Sequence, residues 1–350
     1  MGRNRVASLL AAGVLAALSA ACSSPDNMMT PDGGDGGGNR TRPRKIYVCA
    51  QNVGRIDVLD GTTLASITSI PTGDQRAPHN VTVNPAGDRV LATNAHLDGS
   101  QPDELLVIDP AQDAIVARVN LEQGATVAHV VVSPDGKTAY VTGWGSNRVY
   151  RVDLGTMTRL PDLEMPALDY PHGTRLSADG RILYTANSGM SVSKLDVALG
   201  TGVDVPLPGP GLQVAVGTSA VFASVTNPPA VARIDLATSM VTDFRLPAGT
   251  PRPGQLVLSP DERTVYVGEE GDSSAPGNHL LAVDAATGSV LASYEVGLGA
   301  HGVAISPDGK LAFVTGIFDA SVAVVDLEAG MTEPTLGRTG RGPNGIAAWF

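Results

Sequence analysis

VSPDGKTAYVTGWGSNRVYRVD (residues 132–153) and ISPDGKLAFVTGIFDASVAVVD (residues 305–326) are two copies of one unit. Each opens on a Ser-Pro-Asp-Gly turn, runs through two short apolar segments and closes on an aspartate. Serine first, proline second and glycine fourth is the pattern a type I turn asks for. The segments between, rich in Val, Thr, Tyr and Phe, read as strands. Variants of the turn stand at Asn84–Gly87, Ser177–Gly180 and Ser259–Glu262. The closing aspartate recurs seven times, as Asp60, Asp109, Asp153, Asp196, Asp235, Asp284 and Asp326, at spacings of 49, 44, 43, 39, 49 and 42 residues. A period of this length marks a repeat architecture.

Working outward, each unit supplies an inner strand before the Ser-Pro-Asp-Gly turn and a second strand after it. A third strand ends at the aspartate, and a weaker outer strand follows. No sustained helical period appears after residue 22. Seven repeats of four short antiparallel strands predict an all-β chain, a seven-bladed β-propeller. A solenoid would prefer shorter repeats. The ends predict closure. Ile46–Ala50 reads as a second strand, and PNGIAAWF (343–350) as an inner strand without a successor. Their pairing would hide two open edges. The blade starting near Gly211 departs most, because LQVAVGTSAVFAS lacks the turn signature.

YVTG at 140–143, FVTG at 313–316, YTAN at 184–187 and the recurring SPDG and VID elements resemble the YVTN family of seven-bladed propellers. The resemblance spans residues 45–350. It implies the fold and leaves the function open, since one fold serves many roles. A weaker similarity, APHNVTVNPAGDRVLATN (77–94), is to seven-bladed lactonases. It implies a hydrolase in which His79 and Arg76 assist ring opening, although the second strand continues as TNAHLDGS.

Residues 1–22 read as a secretory signal, with Arg3 and Arg5 before the apolar run Val6–Leu18. Leu18-Ser19-Ala20-Ala21-Cys22 resembles a bacterial lipoprotein processing box, which makes Cys22 the lipidation site. Ordinary cleavage after Ala21 is the alternative. Ser23 after the cysteine points to the outer membrane by the enterobacterial sorting pattern. Residues 23–44 read as a flexible Gly/Pro-rich tether, and 45–350 as the propeller. Membrane attachment is expected through the lipid alone. The net charge of −11 and the absence of basic blocks after the tether argue against nucleic acid as a partner. Cys49, in an apolar strand, reads as packing.

What recurs in every repeat is expected to be scaffold, and what breaks the repeat is a candidate for function. Alternating strand direction places the aspartate and Ser-Pro-Asp-Gly turns on one face of the disc. The loops ahead of the inner strands emerge on the other. There the aligned column reads His79, Ala128, His172, Leu212, Gly254, His301 and Asn344, with His129 one place later. These side chains are expected near the channel mouth, with Arg252 close by. Arg175 stands in an otherwise small or apolar column, so it is expected either to face an anion or to be paired structurally.

Trp144, between glycines, offers a stacking platform or a lid on the blade edge. The ligand-binding candidates are therefore His79, His129, His172, Arg175, Arg252, His301, Asn344 and Trp144. Convergent histidines suit a transition metal, with His79, His172 and His301 as candidate ligands, or acid–base chemistry. They equally suit capping of backbone groups at tight strand starts. Glu269, Glu270 and Asp272 suit calcium or simply a solvated loop. No cofactor is predicted, and CxxCH, GxSxG, HExxH, P-loop and Rossmann signatures are absent. The sequence thus points to a binding module of the cell envelope, for a small molecule or an envelope protein, rather than to an enzyme.

Overall fold

The computed structural model describes residues 40–350, so the signal, Cys22 and most of the tether lie outside the described residues. The described chain forms seven antiparallel sheets around an axis. Blades 1 to 6 begin with the inner strands Arg76–Val83, Val127–Val132, Pro171–Leu176, Gly211–Val216, Pro253–Leu258 and Ala300–Ile305. Blade 7 is composite. Its inner strand, Pro343–Trp349, pairs antiparallel with Lys45–Ala50, which continues into Arg55–Asp60 and Ser66–Pro71. The closure expected from the two chain ends is therefore present. The Trp349 indole adds a bond to the Gly87 carbonyl of blade 1 at 2.7 Å.

Apolar side chains alternate along the strands, so each core layer forms between two blades. Leu91 and Leu105 of blade 1 meet Val130, Val141 and Tyr150 of blade 2 in one such layer. Blades 6 and 7 share another, with Phe313, Val322 and Ile346. The departing blade 4 is regular. Its shortened turn at Gly217–Ser219 is held by the Glu262 carboxylate of blade 5, which accepts from Thr218 N–H. The weak outer strand of blade 6 is split into Met331–Thr332 and Gly337–Arg338.

The recurring residues act as scaffold. All seven closing aspartates accept backbone N–H bonds two or three residues on, as Asp153 Oδ1 does from Gly155 and Thr156. In the Ser-Pro-Asp-Gly turns the serine hydroxyl bonds the aspartate and the glycine takes a positive φ, +71° at Gly136. These turns define the lower face. The chain reaches the propeller there. Arg40 pairs with Asp326 at 2.6 Å, Arg42 with Glu333, and Thr41 N–H with Asp308. Residues 40–44 of the expected tether are thus docked by ion pairs.

Every inner strand carries a bulge near its upper end. Two residues, such as His79-Asn80 between Pro78 and Val81, stand opposite one residue of the second strand. The same shift recurs at 128–129, 172–173, 212–213, 254–255, 301–302 and 344–345. The freed backbone groups need partners, because a buried unpaired amide is costly. The Thr of the YVTG-type segments supplies them. Thr142 Oγ1 accepts from His129 N–H at 2.9 Å and donates to the His172 carbonyl of the next blade at 2.6 Å. Thr93 and Thr315 make equivalent pairs of bonds. Thr142→Val should strand both groups and lower stability by about 2 kcal/mol, while Thr142→Ser retains most of it. Urea denaturation of the three proteins checks this. Equal midpoints for Val and wild type would show that the Thr142 hydroxyl does not join blades 2 and 3.

Candidate functional site

The bulges decide what faces the axis. His79 is the first residue of its bulge and His129 the second of its own, yet their rings meet at 6.3 Å between centroids. Both bulge positions therefore serve the hub. His79, His129 and His172 lie on the consecutive blades 1, 2 and 3, with the other centroid separations at 6.2 Å (His79–His172) and 5.0 Å (His129–His172). All three are buried, as are His301 on blade 6 and Asn344 on blade 7. The hub is tightly built. A Cβ on Gly173 would come within 2.6 Å of Gln213 Cα, so blade 3 can place His172 there only because glycine follows it.

Hydrogen bonds fix the imidazoles. His79 donates Nδ1–H to Gln51 Oε1 at 3.1 Å, and His172 donates Nδ1–H to the Leu212 carbonyl at 2.8 Å. Those bonds leave Nε2 as a lone pair in both, and neither Nε2 has a partner. His129 has no partner on either ring nitrogen. His301 Nδ1 stands 2.9 Å from Glu270 Oε2, and the other Glu270 oxygen is bound by Arg252. Glu270 is wholly buried whereas Arg252 is partly exposed, so this relay links the upper surface to the hub. Arg175 lies deeper in the channel, donating to the Thr174 carbonyl at 2.7 Å. Burial lowers its pKa to about 9.

Of the four histidines expected to converge near the mouth, His79, His129 and His172 stand ring to ring, whereas His301, expected with His79 and His172 as a candidate metal ligand, is turned to Glu270. Other candidates are distributed differently. Arg76 is engaged by Pro102 O at 2.8 Å and Glu104 at 3.5 Å, in a network with Arg118 and Asn94. His79 instead turns to Gln51, so Arg76 and His79 are not brought together as a pair. The acidic loop divides its carboxylates: Glu269 to His279, Glu270 to Arg252 and His301, Asp272 to its own loop. Trp144 stacks on Tyr170 with centroids 5.3 Å apart and donates Nε1–H to Ser188. Tyr170 holds a φ of +55°, supported by Asn147 Oδ1, which accepts its N–H.

Sequence reasoning missed Gln51, Asn80, Gln213 and Gln255, all but Gln51 being second residues of bulges and fully buried at the hub. A register argument over each inner strand could have found them. A uniform alternation assigns these residues to the opposite side.

No protein-family model matches the sequence, and no curated protein does. Among solved structures, this chain is similar to hydrazine synthase of Kuenenia stuttgartiensis, with a TM-score of 0.65 and 18% identity. The match covers 84% of this chain and 99% of that one. At this identity the likeness is one of fold, the seven-bladed propeller.

Burial drives the His172 pKa down to about 3, partly offset by its bond to Leu212. His79 and His129 are also held well below the ordinary histidine value, by burial first and neighbouring imidazoles second. Such groups are neutral when folded and take up a proton on unfolding. Their contribution to stability is complete above the unfolded pKa of about 6.5 and is lost as pH falls toward the folded values. The slope reaches about 1.4 kcal/mol per pH unit for each ring. Urea unfolding in EDTA should show stability dropping between about pH 6.5 and 5, where depressed carboxylates stay ionised. His129→Asn should flatten the slope by about one third. A wild-type profile level across that window would contradict neutral burial.

Proposed function

We propose that this protein is a binding module of the cell envelope, a YVTN-type propeller lipoprotein that engages a partner protein or ligand through its upper face. The observation that carries this reading is the Trp144–Tyr170 stack on that face, with Tyr170 exposed beside Leu168 and Met190. Leu97 on blade 1 and Phe318 on blade 6 are further exposed apolar side chains of upper loops. Exposed aromatic and aliphatic groups rimmed by polar loops suit recognition, and paired rings give contact area at low entropic cost.

The approach of the chain supports the same reading. Arg40, Thr41 and Arg42 dock beside the lower-face turns, so a lipid on Cys22 would hold the lower face toward the membrane and present the upper face away from it. Outer-membrane attachment is part of the proposal. A lactonase reading gains less support, since Arg76 is committed to Glu104 and Pro102.

The test is site-specific photo-crosslinking in the native host. Probes at Leu97 and Tyr170 on the upper face should capture a defined species, and Trp144→Ala should reduce capture by about tenfold, as for the loss of one aromatic anchor. Probes at Leu199 and Met240, exposed on the lower turns, should not. Capture mainly from the lower positions would reverse the assignment of faces. Lactone hydrolysis that is lost in His79→Ala would replace the binding reading with an enzymatic one.

A further inference from the structure

We propose that His79, His129 and His172 form a site for one divalent transition-metal ion at the upper mouth of the channel. Their ring centroids define a triangle with sides of 5.0, 6.2 and 6.3 Å, and the point equidistant from all three lies about 3.4 Å from each. An ion bound at the usual imidazole distance of about 2.0–2.1 Å sits roughly 3.2 Å from the ring centre. The spacing therefore fits to a few tenths of an ångström.

The ring edges fit as well. His79 is tied through Nδ1 to Gln51 on blade 7, and His172 through Nδ1 to Leu212 on blade 4. In imidazole Nε2 stands 1,3 to Nδ1 across the ring, so tying Nδ1 of His79 to blade 7 and of His172 to blade 4 leaves each Nε2 on the side away from that bond. These Nε2 atoms and both nitrogens of His129 are buried without a partner. Metal-binding histidines are held in this way, the outer N–H on an oxygen and the inner lone pair bare. Each stranded lone pair costs about 1–3 kcal/mol, and one Lewis-acidic cation answers all three.

A donor set of three nitrogens disfavours calcium and magnesium, which take oxygen ligands, and selects zinc, cobalt, nickel or copper. Among the described residues no three His, Cys, Asp or Glu side chains are already assembled as a ligand set. Closure is assigned to His129, whose ring no hydrogen bond restrains. Arg175 lowers the affinity through its charge, and the Glu270 carboxylate beside His301 partly offsets it.

The test uses tag-free, chelator-treated protein titrated with Zn2+ by calorimetry and with Co2+ by visible absorption. One equivalent per chain is expected, with intense Co2+ bands of a four-coordinate site made of three imidazole nitrogens and one solvent ligand. His129→Ala removes a ring that makes no side-chain hydrogen bond, so it should fold, and it should weaken binding at least 100-fold. Gln51→Ala should weaken it 10- to 100-fold by releasing the His79 orientation. His279→Ala, at the start of the strand His279–Asp284 and outside the cluster, should leave it unchanged. Circular dichroism melts confirm folding of each variant. Absence of saturable Zn2+ binding, or equal affinity in wild type and His129→Ala, overturns the proposal. Neither result touches partner capture by the upper face, which needs no metal.

Discussion

Seven inner strands crowd one axis, and this crowding governs the rest of the molecule. A regular strand would bring its pleat straight into its neighbours. Each inner strand bulges instead, and each bulge frees backbone groups that must be paired inside the hub. A threonine hydroxyl serves both needs because it can accept and donate at once. Thr93, Thr142 and Thr315 each accept an amide of their own blade and donate to a carbonyl of the next. The hydroxyl is thus a rivet between blades. Val at the same position would match its shape and β-propensity while offering neither bond.

Crowding also explains the chemistry of the hub. Neutral imidazoles can be stored in such a place more cheaply than charges can. Burial pushes their pKa values down and so removes the charge before it must be solvated. Arg175 survives as the exception because a guanidinium loses its proton only with difficulty, and it retains one backbone acceptor. Glu270 survives because two cationic or protic partners close on it from different directions. The charged groups of the outer strands follow another rule. Arg148, Arg159, Glu122 and Asp162 form a network at the open edge of blades 1 and 2, where water shares the work.

The scaffold was legible in the sequence because its determinants are local. An aspartate that caps its own turn, or a serine that bonds the aspartate two residues on, leaves the same mark in every blade. Closure was legible for a related reason: the missing inner strand at one end and the surplus one at the other are visible without coordinates. The histidine column was visible as a break in the repeat. Its partners were not. Gln51 meets His79 from blade 7, and Glu270 meets His301 from a loop of blade 5. Those contacts depend on the rotation between adjacent blades. Gln213 and Gln255 were hidden by the bulges, since strict alternation of strand residues fails where two residues face one.

The strand polarity of the blade separates two kinds of selection on the same chain. Lower turns are closed by bonds within four or five residues, so any blade can reuse them. Blade 4 dispenses with its own turn signature only because Glu262 reaches across from blade 5. Upper loops combine internal bonds, such as those Asp272 accepts from Ser274 and Ala275, with ties to other blades. In those ties Asp103 of blade 1 accepts the Val127 amide of blade 2, and Asn147 of blade 2 accepts the amides of Asp169 and Tyr170. A change in one upper loop therefore alters the shape of the next blade's loop as well. Adjacent loops must vary together, and the stacked Trp144 and Tyr170, one from each of two blades, are a direct product of that coupling.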